Sequence, residues 1–109
     1  MVNPEQISSF AREIAQRYAP DKIVLFGSQA WNTATDDSDV DMLVIMDFEG
    51  RGAHKAADIL CDINPRFSCD LLVRRASEVQ QRLIMNDDFM HEILTKGKTL
   101  YDRSEQRMA

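Results

Sequence analysis

The chain has 109 residues, 44% of them hydrophobic, and its 13 Lys and Arg against 18 Asp and Glu give a formal net charge of −5. This length predicts one domain over 1–109 with a modest core, and no apolar run of about 18 residues is present to span a bilayer as a helix. The acidic balance argues against broad binding to nucleic-acid backbones, which needs a positive surface.

Asn3-Pro4-Glu5-Gln6 predicts a helix start, with Asn3 as cap, Pro4 in the first turn and Gln6 at the third helical position. Ile7, Phe10, Ala11, Ile14 and Tyr18 recur at helical spacing, so a helix over 4–19 is expected, stopped by Pro20. Lys22 to Phe26 is short, apolar and branched, and reads as a buried strand. Gly27 ends it, and Ser28 is placed to cap a short helix through Trp31 or Asn32. Thr33 to Ser38 is polar and turn-like. Val40 to Met46 gives the strongest strand signal, and Asp47 to Gly52 a loop.

Ala53 to Asp62 predicts a helix whose apolar face uses Ala56, Ala57, Leu60 and Cys61, broken by Asn64-Pro65. Phe67 to Val73 is a third strand carrying Asp70 near its start. Ser77 is the expected cap of the next helix, with Val79, Leu83 and Ile84 as apolar positions. Phe89, Ile93 and Leu94 continue the helical pattern beyond a bend at 86–88, and Gly97 is the expected C-cap. Leu100–Tyr101 adds a short extension, and residues 102–109 are expected to fray. The motif-bearing core is thus 20–101. Alternating helices and few strands predict an α/β (α+β) fold: a small mixed sheet flanked by helices. Cys61 and Cys69 are expected to be free, largely buried thiols. The first residues lack the basic-then-apolar pattern of a secretion leader, which predicts a cytoplasmic protein.

Chemistry concentrates in the carboxylates. Asp39 and Asp41 open the second strand two residues apart, so they share a face. Leu43 and Ile45 continue that parity, so the face turns from acidic to apolar along the strand. Asp70 heads the run Leu71-Leu72-Val73 in the same manner. If the two strands are neighbours, the three carboxylates converge. Like charges about 4 Å apart at an effective dielectric of about 20 repel by roughly 4 kcal/mol per pair as an upper illustration. Protons or metal ions must then neutralise the cluster, and Mg2+ suits a few carboxylates plus water and phosphate oxygens. Taken alone, Asp39 and Asp41 serve equally well as turn and strand-end residues.

Gly27 permits a tight turn or close approach, and Ser28 follows at a helix start, where amide hydrogens and a hydroxyl bind anions. Alone, Gly-Ser is an ordinary turn. Neither GxxxxGK[ST] nor GxGxxG occurs. Trp31 is expected to pack, with stacking on a base or partner as the alternative. Lys55 reads as a surface lysine, with phosphate contact as the alternative. Arg75 is a further candidate to neutralise the acidic rim or touch substrate. Two histidines, His54 and His91, and no cysteine at ligand spacing argue against zinc.

Gly27-Ser28, Asp39-Val40-Asp41 and Asp70 together resemble the nucleotidyltransferase superfamily that includes DNA polymerase beta, in its small standalone branch of minimal nucleotidyltransferases. The wording of Leu25-Phe26-Gly27-Ser28-Gln29-Ala30 and Ser38-Asp39-Val40-Asp41-Met42-Leu43-Val44 is close to that branch, and the likeness spans about residues 20–101. The resemblance implies that Asp39, Asp41 and Asp70 are catalytic and hold Mg2+. It also implies that Gly27, Ser28, Gln29 and Asn32 meet the triphosphate of ATP or another NTP. The implied reaction moves a nucleoside monophosphate to a hydroxyl or phosphate, releasing pyrophosphate. The implied partner is a helical HEPN-type protein, in a toxin–antitoxin pair where this chain would be the antitoxin, with homo-oligomers also open. The alternative within the resemblance is a non-catalytic module that neutralises an RNase by binding it. Where relatives often carry a Gly-Ser-Arg-Ala-Arg-Gly stretch, this chain has Gln29, Trp31 and Asn32, of which Gln29 and Asn32 offer neutral donors in place of positive charge.

Overall fold

The computed structural model describes residues 3–31 and 39–106. Helix α1 (Pro4–Tyr18) starts as its sequence dictates. The Asn3 side chain accepts from the Glu5 N–H at 2.9 Å, and the Gln6 side chain accepts from the Asn3 N–H at 3.0 Å. Its end is a left-handed Ala19, whose N–H bonds to the Ala15 carbonyl, just before Pro20.

Strands β1 (Lys22–Phe26), β2 (Val40–Ile45), β3 (Cys69–Arg74) and β4 (Lys98–Asp102) form one sheet in the order β3-β2-β1-β4. β1 is antiparallel to both β2 and β4; β2 and β3 are parallel. The expected small mixed sheet flanked by helices is therefore observed. Parallel neighbours need a crossover, and α2 (Gly52–Ile63) supplies it. Two further helices, α3 (Ala76–Ile84) and α4 (Asp88–Lys96), follow β3, and a short α5 (Arg103–Gln106) follows β4.

Alternation in the strands sorts the core into two layers. Ile23, Leu25, Met42, Val44, Leu71 and Val73 face α1 and α2, where they meet Phe10, Ile14, Ala56 and Ile59. Val24, Phe26, Leu43 and Ile45 face α3 and α4, where they meet Val79, Met90 and Ile93. Among the described residues, no helix is long and apolar enough to cross a membrane.

Several expectations change in detail. The buried stripe of α2 runs through Ala56 and Ile59, with Leu60 and Ile63 partly buried; Ala57 and Cys61 lie one row outward and are exposed. Cys61 is thus an exposed thiol, and Cys69 is half-buried. The third strand starts at Cys69, not Phe67, whose ring packs edge-on against Phe10 at 5.6 Å. Helix α3 is capped at Arg75, not Ser77: the Glu78 carboxylate accepts the Arg75 N–H at 2.9 Å.

Between α3 and α4 a left-handed Asn86 makes the bend, and the Asp87 side chain caps α4 through the Met90 N–H. Gly97 ends α4 with a φ of −73°, so its glycine is required by space. An added Cβ would run into the Ile93 carbonyl and lie 2.7 Å from Val24 Cγ1 and 2.8 Å from the Leu25 carbonyl. Leu100–Tyr101 is the middle of a full strand, and order continues past residue 101. The Arg103 N–H bonds to the Asp21 carbonyl, its guanidinium bonds to the Ala19 carbonyl, and it pairs with the Asp21 carboxylate.

Candidate active site

The sheet ends where β1 stops and β2 and β3 begin, and its register builds the site there. Phe26 stands opposite Asp41, and Asp41 opposite Asp70. By alternation Phe26, Asp41 and Asp70 lie on the face that carries Leu43, Ile45 and Leu72. They form one row across three strands, with Asp39 just before β2. Asp39 and Asp70 are exposed, and Asp41 is half-buried.

Gly27 leaves β1 with a φ of +76°, a backbone region that L side chains disfavour. Its carbonyl accepts from the N–H groups of Ala30 and Trp31 at 3.0 and 3.1 Å, so 27–31 make one tight turn. Within the described residues this turn is not an α-helix, in contrast to the short helix expected after Ser28; Asn32 and the rest of 32–38 lie outside the described residues. The Asp41 carboxylate sits directly against the Gly27 Cα, because a Cβ there would collide with Asp41 Oδ2 and lie 3.3 Å from its Cγ. The glycine of the turn is thus tied sterically to a carboxylate of the next strand.

Burial, then the neighbouring Asp70 and Asp39, push the Asp41 carboxyl above the usual carboxylate range. On the opposite face of β3, burial and the same three carboxylates push the Cys69 thiol up to about 12. The structure brings Asp41 and Asp70 together and sets Asp39 within their field. Among the described residues no Lys or Arg pairs with these carboxylates. Also among the described residues, no three His, Cys, Asp or Glu side chains form a closed group that would hold a metal ion by themselves.

Ser28 and Gln29 are half-buried on the turn. Trp31 is 38% exposed and donates its indole N–H to the Lys96 carbonyl at 3.1 Å, tying the turn to the end of α4. Two basic residues have structural tasks. The Lys55 ammonium lies 5.2 Å from the centre of the Tyr18 ring. Arg75 staples the β2–α2 loop: its guanidinium stacks 4.2 Å from the Phe48 ring and donates to the Phe48 and Gly50 carbonyls and to Glu78. Arg75 therefore neutralises Glu78 and not the acidic rim. Phe89, part of the helical pattern read from the sequence, reaches the site through Phe26, which stands opposite Asp41. It is exposed, and its ring meets Phe26 edge-on at 5.8 Å. Its place in the first turn of α4, two residues after the capping Asp87, is the sequence signal for that exposure.

Residues 9–106 match the profile of the family described as polymerase beta, nucleotidyltransferase. Among solved structures, the fold is similar to a protein from Sulfolobus solfataricus to which a nucleotidyltransferase role has been ascribed. The TM-score is 0.64 at 16% identity, over 92% of this chain and 80% of that one. No curated protein matches the chain.

Proposed function

From the premise that this chain belongs to the polymerase beta nucleotidyltransferase family, we propose that it transfers a nucleoside monophosphate, AMP from ATP in the first instance, to a hydroxyl of a protein acceptor. The supporting observation is the contact of the Asp41 carboxylate with the Gly27 Cα, in register with Asp70. It sets the carboxylates beside a turn suited to a triphosphate.

Hard carboxylate donors with no basic partner among the described residues suit Mg2+, which takes one or two carboxylates and completes its shell with water and phosphate oxygens. A closed three-residue cage is therefore not required. Of Asp39, Asp41 and Asp70, one or two at a time would ligate the ion, which would supply charge stabilisation on the reacting phosphoryl oxygens. The Ser28 hydroxyl donates to the triphosphate at the Gly27 turn, with Gln29 and Asn32 as further neutral donors. The acceptor hydroxyl attacks the α-phosphorus in line, and the bond to pyrophosphate breaks. Asp70, the exposed carboxylate of the facing pair, takes the hydroxyl proton.

In this reading the acceptor is a partner protein, a HEPN-type RNase. The second reading, an antitoxin that silences such an RNase by covering it, draws on the net charge of −5, which suits a basic RNase face. Incubation with labelled ATP, Mg2+ and the candidate partner separates them. Label on the partner, lost in Asp39→Asn and Asp41→Asn, supports transfer. A tight complex with inhibition and no label supports covering. Full labelling by either variant overturns the catalytic assignment.

A further inference from the structure

The row Phe26–Asp41–Asp70 ends at an aromatic, and that aromatic is extended outward. Phe26 is only 6% exposed and belongs to the core. The Phe89 ring stands on it at 5.8 Å with an interplanar angle of 82°, yet Phe89 is 53% exposed. Its neighbours along α4, Met90 and Ile93, are buried. An aromatic of this size is usually drawn inside. Here the ring is fixed at its base by Phe26 and by the capped first turn of α4, while half its surface faces solvent. It rises from the core residue that sits directly opposite Asp41.

We infer that Phe89 is a base-binding residue: its exposed surface stacks on the nucleobase of the nucleotide whose phosphates lie at the Gly27 turn. The inference rests on the nucleotidyl-transfer reading and deepens it. A π-face accepts any base, and purines offer more area than pyrimidines. The site would therefore prefer purine nucleotides and separate ATP from GTP weakly, because stacking carries no hydrogen-bond code. Met85 and Ile84, exposed by 70% and 75% at the end of α3, add apolar surface on the turn that leads into α4.

The test is equilibrium binding by the intact chain in Mg2+, using ATP, UTP and inorganic tripolyphosphate as probes. Tripolyphosphate has no base and serves as the internal standard. Wild type should bind ATP more tightly than UTP and tripolyphosphate. Phe89→Ala should weaken ATP by about 5-fold or more, leave tripolyphosphate unchanged, and bring ATP and UTP together. Phe89→Trp should hold or improve ATP affinity, and Phe89→Leu, which keeps the apolar contact with Phe26, should bind ATP as weakly as Phe89→Ala. Equal ATP affinity in wild type and Phe89→Ala overturns the inference and leaves the transfer reading standing. Absence of binding by all three probes to wild type overturns both. Sedimentation showing that wild type self-associates and Phe89→Ala does not assigns the ring to a second copy, and also overturns it.

Discussion

Replacing Gly27 by Ala tests the contact on which the site is built. Two costs are expected. The first is backbone: an L residue at a φ of +76° is disfavoured by about 1–2 kcal/mol. About 0.4–1 kcal/mol of that is offset by the less flexible unfolded chain, leaving roughly 1 kcal/mol. The second is steric. The new methyl meets Asp41 Oδ2, with Cγ at 3.3 Å, so the carboxylate must swing out of its rotamer, which costs about 0.5–1.5 kcal/mol. The sum is roughly 1.5–2.5 kcal/mol. Only the first cost survives when Asp41 is Ala, because the Asp41 Cβ lies at 3.5 Å, an ordinary contact. Urea unfolding of wild type, both single variants and the double variant gives the coupling as the departure from additivity. We expect Gly27→Ala to cost about 0.5–1.5 kcal/mol less in the Asp41→Ala background. Equal cost in both backgrounds would refute the packing argument, and with it the claim that the turn glycine exists to seat the carboxylate.

Asp41→Asn should stabilise the unliganded protein. Neighbouring strands are about 4.8 Å apart, and two carboxylates at about 5 Å in a dielectric of about 40–80 repel by roughly 1–2 kcal/mol; exposure reduces this to about 1 kcal/mol or less, read as a higher melting temperature at pH 7 that Mg2+ no longer shifts. The Asp87 carboxyl is held below its ordinary value, first by the Met90 N–H and then by Arg82. Its contribution is therefore present above the unfolded pKa and lost as pH falls through the folded one. Asp87→Asn should flatten the acid side of the pH–melting curve, and an unchanged curve would remove the cap from the account. Gly97→Ala should cost about 2–3 kcal/mol, because backbone carbonyls of Ile93 and Leu25 stand where its Cβ would go; a neutral result in thermal unfolding contradicts this geometry. Thiol labelling at pH 8 should modify exposed Cys61 at once and Cys69, its thiol pushed up to about 12, only on unfolding.

The sequence carried most of the frame, because α1, β1, β2 and α2 are each bounded by strong local signals. Asn3-Pro4 and Pro20 bracket α1, Gly27 closes β1, and Asn64-Pro65 follows α2. What it did not carry is non-local. Lys98–Asp102 has no buried residue and reads as a weak extension; it becomes a strand only because β1 offers an edge more than 70 residues upstream in the chain. The α3 cap went to Arg75 because Glu78 answers its N–H and Phe48 and Gly50 hold its side chain, contacts invisible to a cap preference for Ser. Ala57 and Cys61 were placed on the wrong side of α2 because a small-residue helix has nearly equal faces, and only Ile59 against the sheet sets its phase. In the site, the spacing of Asp39 and Asp41 was legible. The pairing of Asp41 with Asp70 was not, since it depends on β2 and β3 being parallel and in that register.

The same register explains why the carboxylates occupy the strand ends. Two residues further along each strand the row would fall on Leu43 and Leu72, partners across the sheet; Leu43 is fully buried in the layer under α3 and α4, and Leu72 packs against it. Ionised carboxylates there would lose their hydration with no cation to replace it, at a cost far beyond what a domain of this size sustains. At the start of β2 and β3, Asp41 is half-buried and Asp70 exposed, so water screens their repulsion. The Asp41 carboxyl is raised first by its burial and then by the repulsion from Asp70 and Asp39 that screening leaves. In the proposed function, a site arranged in this way would gain from a cation that arrives with a polyphosphate. The acidic-to-apolar switch along one strand face is thus the sequence imprint of a compromise between charge clustering and burial.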